Sequence, residues 1–462
     1  MLVLGIITFR SNETFVDYIL AGRKLGVWIT ALSERAAADS VWLLLIFPGI
    51  ILSLGLMGLW TAVGCAVGVL LSWILIARRF RISSEANDAP TIPQYLENCL
   101  IDSSKSLRTV GAIIIIFFYV FFLCALMIGA GNILSITFGI NETPAMILAA
   151  IMILAYTAMG GLTGIARIDF IQALLTLLIL IVLPIAFIID YGGWTKVITA
   201  ISAAKIGHLS LLRDTTGICS ILSIISGAAW GLGYMGQPHL LTRFMAIKNP
   251  DDLRTGTFIS MIWSILALSG AMLVGLFAIA LLSSNDPSGS INLIPLMAAQ
   301  SLPAWLAALM IAGVLAAFIT VGNSLLLAAT STIAEDIFHT HIYQDLAPTK
   351  LIRLSRFAAI IVGLIALGMA ALSKGSVVSL VGLAWAGLGA SFGPGLLLTL
   401  WWRRTTREGV LAGMIVGTMT VIIWHFTPQL GDIVYELAPG FVFALLAVWF
   451  VSLATYNKRR IH

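Results

Sequence analysis

The stretch "WGLGYMGQPHLL", Trp230–Leu241, places Gly231, Gly233, Gly236 and Pro238 within eight residues of an otherwise apolar segment, 217–243. A continuous helix does not tolerate that density of breakers. Backbone groups freed inside a bilayer must be satisfied by protein, ions or water. Segment 27–54 is interrupted in a comparable way: "ALSERAAADSVWLL", Ala31–Leu44, carries Glu34, Arg35 and Asp39, and Pro48-Gly49 follow. A charge near the centre of a bilayer costs roughly 2.5–3.5 kcal/mol on insertion scales, so three of them need a reason. Interrupted segments at corresponding positions of two halves point to a transporter built from inverted repeats, with its sites at the midplane between the breaks. Gly and Pro also occur in ordinary kinked spans, so spacing alone leaves a purely structural explanation open.

The rest of the chain fits a polytopic membrane protein. Of 462 residues, 60% are hydrophobic and 10% charged, and the mean hydropathy is +1.03. A soluble domain carries about 25% charged residues. A spanning helix needs about 20 mainly apolar residues. Segments 27–54, 57–77, 109–138, 143–159, 164–190, 217–243, 253–283, 304–335, 352–372, 376–402, 407–426 and 436–456 meet that need, giving twelve full spans. Met1–Phe9 is apolar but too short to cross, and reads as the end of a truncated N-terminal helix. Each interrupted segment opens a block of five spans.

With residues 10–26 placed in the cytoplasm and the spans alternating, 21 of the 26 Lys and Arg residues fall on the cytoplasmic side. Lys196, Lys205, Arg213 and Lys374 fall outside, and Arg35 alone lies within a span. That asymmetry follows the positive-inside rule and puts the C-terminus in the cytoplasm. It accounts for the net charge of +5 without a nucleic-acid partner. The four cysteines, Cys65, Cys99, Cys124 and Cys219, show no metal-binding or redox spacing.

Six collinear blocks carry a resemblance. "WGLGYMGQPHLLTRFMA" (230–246), "DYILAGRKLG" (17–26) and "ITALS" (29–33) resemble the sodium:solute symporter family. "LAWAGLGASFGP" (383–394), "GVLAGMIVGTMTVIIW" (409–424) and "YELAPGFVFALL" (435–446) are similar to its bacterial sodium/proline symporter branch. The resemblance implies an all-α polytopic membrane protein with a LeuT-type core of two inverted five-helix repeats and flanking helices. The parts are 1–26, a truncated first helix and cytoplasmic loop; 27–190, the first repeat; 191–216, an extracellular loop; 217–402, the second repeat; and 403–462, two extra helices and a short cytoplasmic tail. The implied activity is secondary active symport: inward sodium flow drives uptake of a small amino acid, L-proline in this branch, by alternating access. The implied setting is the bacterial cytoplasmic (inner) membrane. The solute and the lipid bilayer are the partners, with no obligate protein partner. An enzyme or a channel would need a nucleophile, a metal cluster or a filter, and no such motif stands out.

The same resemblance assigns sites. Trp230, Tyr234 and Pro238 match the branch's solute contacts, although Trp230 and Tyr234, at i and i+4, are equally one packed aromatic face. Phe122 stands where the branch has a tyrosine near the solute, and Ser40 aligns with a serine important for ion and solute. Sodium ligation falls on the carbonyls of Ala36 and Asp39, facing Ala317, Thr320 and Val321 of "AAFITVGNS" (316–324). Val321 has no hydroxyl, and the branch's aspartate falls on Ala38, with the acid displaced to Asp39. Asp39 then either replaces a lost sodium ligand, or carries a proton as the coupling ion, or pairs with Arg35 one turn away. Arg23 and Asp169 match positions concerned with gating or loop folding. Glu34 is expected at an aqueous vestibule or a polar helix contact, and 31–44 as a whole is expected to be unwound.

Overall fold

The computed structural model describes residues 14–159, 161–204, 209–212, 221–282, 293–342, 348–373, 375–431 and 433–459. Among them the regular structure is helical, with one isolated bridge between Leu25 and Ile247. The expected truncated helix at 1–9, the C-terminal tail from 460, and the charges Arg10, Lys205, Arg213, Lys374 and Arg460 lie outside the described residues.

The first half contains α1 (Phe15–Leu20), α2 (Val27–Val41), α3 (Phe47–Leu54), α4 (Leu59–Leu71), α5 (Arg78–Ala86), α6 (Ile92–Leu100), α7 (Ser106–Phe138), α8 (Glu142–Met159) and α9 (Leu162–Asp190). After α10 (Trp194–Ala204) come α11 (Ile221–Ala229), α12 (Pro238–Ala246), α13 (Leu253–Leu281), α14 (Leu293–Ser301), α15 (Ala304–Thr332), α16 (Pro348–Leu372) and α17 (Val377–Trp401). The chain closes with α18 (Arg407–His425), α19 (Pro428–Gly431) and α20 (Leu437–Arg459). Nine helices among the described residues are long and apolar enough to cross a membrane, and Glu142–Thr157 and Ile221–Met235 are shorter apolar helices. The first of the nine, Val27–Ala86, runs for 60 residues, far more than the ~20 that one crossing needs. Gly55 interrupts it with φ 63°, a left-handed conformation that glycine adopts without steric cost.

The two interrupted segments behave differently. The second breaks as its composition demands. α11 gives way to a 3₁₀ turn at Trp230–Met235, Gly236 and Gln237 leave helical geometry, and Pro238 starts α12, where its missing N–H is no loss. The freed backbone finds partners in neighbouring helices: Trp385 Nε1 donates to Trp230 O at 3.0 Å and Ser72 Oγ to Tyr234 O at 3.3 Å. The first does not unwind. α2 runs unbroken through the charged stretch and continues as a π-helical turn at Trp42–Ile46 into α3. The expectation of an unwound 31–44 is therefore corrected, because the three charges satisfy one another and need no open backbone or water.

These two segments form the middle of the bundle. α2 packs against α9, α13 and α15, and the 3₁₀ turn packs against α4 and α17. Contact between α4 and the turn is backbone on backbone. A Cβ on Gly68 would stand 2.0 Å from Gly231 O, and one on Gly231 would stand 1.9 Å from Gly64 O. Gly64 and Gly68 form a GxxxG pair, the spacing by which small residues let spanning helices approach closely. One end of the bundle is knitted by buried or half-buried arginines. Arg23 donates to Met245 O at 3.1 Å, Arg81 to Ile247 O at 2.8 Å, and Arg108 pairs with Asp336 at 2.8 Å and Glu335 at 3.0 Å. The short helix α14 packs against α15 and α9.

Gly68→Ala drives a methyl group into the Gly231 carbonyl. Overpacking of this kind costs roughly 1–3 kcal/mol. The thermal unfolding midpoint of the detergent-purified protein is expected to fall. Val67→Ala, one residue away on an exposed face, is expected to leave it unchanged.

Candidate functional site

The charged stretch of α2 faces inward. Glu34 and Arg35 are fully buried and Asp39 is 4% exposed. Arg35 Nε donates to Glu34 Oε2 at 2.6 Å, its Nη2 pairs with Glu34 Oε1, and its Nη1 reaches Asp39 Oδ2 at 2.8 Å. The pairing one turn apart is therefore present. Outer partners hold the group in place. Trp73 Nε1 donates to Glu34 at 3.2 Å, Tyr234 Oη donates to Asp39 Oδ1 at 2.6 Å, and the guanidinium lies 5.0 Å from the centre of the Tyr234 ring. A cation over an aromatic face gains electrostatically when desolvated. Glu34 is thus at a polar helix contact and not at a vestibule. Two carboxylates and one guanidinium leave the cluster with one formal negative charge.

That cluster reaches, through Asp39, the wall of a narrow internal cavity. Asp39 and Trp42 line it from α2 and the π turn, Phe122 from α7, Trp230 and Tyr234 from the 3₁₀ turn, and Val321 from α15. Trp230 stacks on Tyr435, with ring centres 4.7 Å apart and planes at 10°, and Trp42 stacks on Phe47 at 4.8 Å. Trp42, Cys65 and Trp385, to which the sequence assigns no role, also line the cavity. Within an apolar run, an aromatic ring or a thiol looks the same whether it faces a core or a cavity.

The remaining assigned residues lie elsewhere. Pro238 does not join Trp230 and Tyr234: it lines a second narrow cavity, together with Thr91, Arg243, Ser324 and Ser331. Ser40, Ala36 and Ala317 are fully buried outside the first cavity's wall. The Oγ atoms of Ser40 and Thr320 are buried without a hydrogen-bond partner among the described residues. Buried polar groups are almost always paired, and the hydroxyls of Thr30, Ser260 and Ser331 are in the same unpartnered state. Arg23 ties a loop to the bundle through Ser84, Ala89 and Met245.

A second charged knot borders the second cavity through Arg243 and Ser324. Asp169 on α9 is fully buried and pairs with Arg243 of α12 at 2.8 Å. Arg243 also donates to Ser324 on α15 at 2.6 Å, to Ser33 on α2 at 3.2 Å, and to the His239 carbonyl. Ser33 donates in turn to Asp169 at 2.7 Å. Arg243, counted above as a cytoplasmic charge, is 1% exposed inside the bundle. His239 packs here, bonded to Tyr119 through both its ring Nδ1, at 3.0 Å, and its backbone N–H, at 2.9 Å.

Known proteins resemble this chain in sequence and in fold. The profile of the sodium:solute symporter family matches residues 18–417. The chain is 36% identical over 461 residues to the sodium/proline symporter of Salmonella typhimurium, covering 98% of this chain and 90% of that one. It is 36% identical over 467 residues to the high-affinity proline transporter PutP of Bacillus subtilis, covering 98% and 96%. The osmoregulated proline transporter OpuE of Bacillus subtilis is 33% identical over 462 residues, covering 98% and 92%. Among solved structures, a Na⁺-coupled sialic acid symporter in its substrate-bound outward-open state superposes with a TM-score of 0.80 at 17% identity, covering 99% of this chain and 95% of that one. The closed Mhp1 transporter superposes with a TM-score of 0.59 at 14% identity, covering 96% and 95%. The helical order, the break at 230–237 and the profile match converge: the chain belongs to the sodium:solute symporter family.

Proposed function

We propose that this chain is a secondary active symporter that couples inward sodium flow to uptake of L-proline. The observation that carries the reading is the aromatic cavity between α2, α7 and the 3₁₀ turn, in a chain whose relatives are proline transporters over nearly their full length. Trp230, Tyr234 and Phe122 offer apolar faces for a pyrrolidine ring. Ser40 lies one residue beyond Asp39 in the same helix. Sodium binds between α2 and α15, at the carbonyls of Ala36 and Asp39, the carbonyl of Ala317 and the hydroxyl of Thr320, with Val321 beside them contributing no oxygen. The unpartnered Thr320 Oγ is consistent with this placement.

Pro238 belongs to the exit side in this reading, because it lines the second cavity. Asp169, Arg243, Ser33 and Ser324 are the gate between the cavities, and Arg23 and Arg35 hold loops and helices in register. The long helix Val27–Ala86 counts as two crossings divided at Gly55. With Glu142–Thr157 and Ile221–Met235 also crossing, the total is twelve. Blocks 27–190 and 217–402 are the two inverted repeats, flanked by 403–462, with 191–216 outside. The arginine-knitted end faces the cytoplasm, as does the C-terminus, in a bacterial inner membrane.

Uptake of radiolabelled L-proline into proteoliposomes, with sodium and proton gradients imposed separately, tests the coupling. Uptake is expected under the sodium gradient alone. Accumulation under a proton gradient without sodium would move the coupling to Asp39, and no uptake under either would remove proline as the solute. Thr320→Val is expected to raise the sodium concentration for half-maximal uptake at least tenfold while protein yield is retained.

Arg35→Met strips the countercharge from two buried carboxylates. Removing one partner of a buried pair typically costs about 3–5 kcal/mol, whereas replacing the whole group is close to neutral. Detergent unfolding should therefore show a large loss for Arg35→Met and a partial recovery in the triple variant Glu34→Gln/Arg35→Met/Asp39→Asn.

A further inference from the structure

Where α4 passes into α5, an exposed apolar stripe ends in arginine. Val63, Val67 and Ile74 are exposed along α4 and the π-helical turn Ser72–Ala77, and Arg78 and Arg79 follow, both exposed. The end of α17 lies alongside. Trp401, 47% exposed, donates its indole N–H to Leu75 O at 2.8 Å. The Arg79 guanidinium lies 3.5 Å from the centre of the Trp401 ring, and its Nη1 donates to Leu400 O at 3.2 Å. An aromatic face holds the planar guanidinium fork in place and leaves its remaining N–H groups able to bind.

Two more arginines follow directly. Arg403 and Arg404 are exposed on a tight turn after α17. Thr405 closes that turn: its N–H donates to Trp402 O at 3.1 Å and its hydroxyl to Leu398 O at 2.9 Å. Among the described residues, Arg79, Arg403 and Arg404 meet no carboxylate at ion-pair distance. Their neighbours do: Arg78 pairs with Asp251 at 2.8 Å, and Arg407 with Asp102 at 3.3 Å and Glu408 at 2.6 Å. Three uncompensated positive charges thus lie on Trp401 or within three residues of it, at the head of an exposed apolar stripe. A lipid with an anionic headgroup is the complement of this surface. Its phosphate oxygens suit the guanidinium forks, its headgroup level suits the indole, and its acyl chain suits the stripe. Basic surfaces between spanning helices are where such headgroups lodge.

We propose that Arg79, Trp401, Arg403 and Arg404 form a binding site for an anionic phospholipid, which clamps the end of α17 to the junction of α4 and α5. The three arginines receive the phosphate group, and an acyl chain runs along Ile74, Val67 and Val63. None of these residues lines either cavity, so the site does not depend on which solute is carried. The lipid acts on α4, the helix whose Gly64 and Gly68 meet Gly231, and ties α17 to it.

The test follows the thermal unfolding midpoint of the full purified chain in detergent, at fixed ionic strength, as phosphatidylglycerol, phosphatidylcholine or inorganic phosphate is added. Phosphatidylglycerol is expected to raise the midpoint, and the other two to leave it unchanged. Arg79→Gln/Arg403→Gln/Arg404→Gln is expected to raise the phosphatidylglycerol concentration for half-maximal stabilisation about tenfold or more, the scale of a lost hydrogen bond to a charged group. Lys248→Gln/Arg254→Gln/Arg353→Gln removes as many exposed charges elsewhere on the chain and is expected to leave that concentration unchanged. No rise in the first variant, or an equal rise in the second, would show attraction by overall charge and overturn the site. Equal stabilisation by phosphatidylcholine or by inorganic phosphate would overturn the anionic lipid as its occupant, as would no stabilisation of the unaltered chain. Arg403→Gln/Arg404→Gln, which leaves the Arg79–Trp401 stack intact, carries the same expectation where the triple variant does not fold.

Discussion

Arg35 is the residue on which the centre of this bundle depends. A guanidinium in a low-dielectric interior has to be paired and hydrogen-bonded, or it will not stay there. Its partners come from its own helix, Glu34 and Asp39, and from three others, through Trp73, Ser264 and the ring of Tyr234. That requirement fixes the rotation of α2. With Arg35 turned toward α13 and the 3₁₀ turn, Asp39 and Trp42 come to the cavity. It also fixes the 3₁₀ turn, because Tyr234 is held by its hydroxyl on Asp39 and by the cation over its ring. The cavity exists between these two held segments.

How much of this could be read from the chain depended on how local the cause was. The break at Trp230–Gln237 was legible because three glycines and a proline act on their own backbone, whatever surrounds them. The charged stretch was read as unwound, and the structure keeps it helical. The sequence displays charges but not their partners, and Trp73, Tyr234 and Ser264 lie far along the chain. The close pairing of Arg35 with Asp39 was legible for the opposite reason, since one helical turn separates them. Trp42 and Cys65 carried no signal, because aromatic and thiol side chains in an apolar run suit a lipid face, a core or a cavity equally well.

Arg243 shows the same limit from another side. By count and position it belonged with the charges that anchor spans at the cytoplasmic surface, and that bookkeeping helped to set the topology. In the folded chain it is buried and bonded to α2, α9 and α15 as well as to its own helix. The residues that bind it, Ser33, Asp169 and Ser324, are spread over almost the whole core. Only the tertiary arrangement makes them one group.

The approach of α4 to the broken segment has a consequence for how such a carrier works. Gly64 and Gly68 put the backbone of α4 against Gly231 with no side chain between them, so no soft layer is available to absorb sliding. The two elements behave as one lever. Any cycle that exposes the cavity first to one side and then to the other has to bend at other joints, such as the kink at Gly55 or the charged knot around Arg243. A displacement applied to either element is then passed on whole, and is not lost in local rearrangement where the two meet.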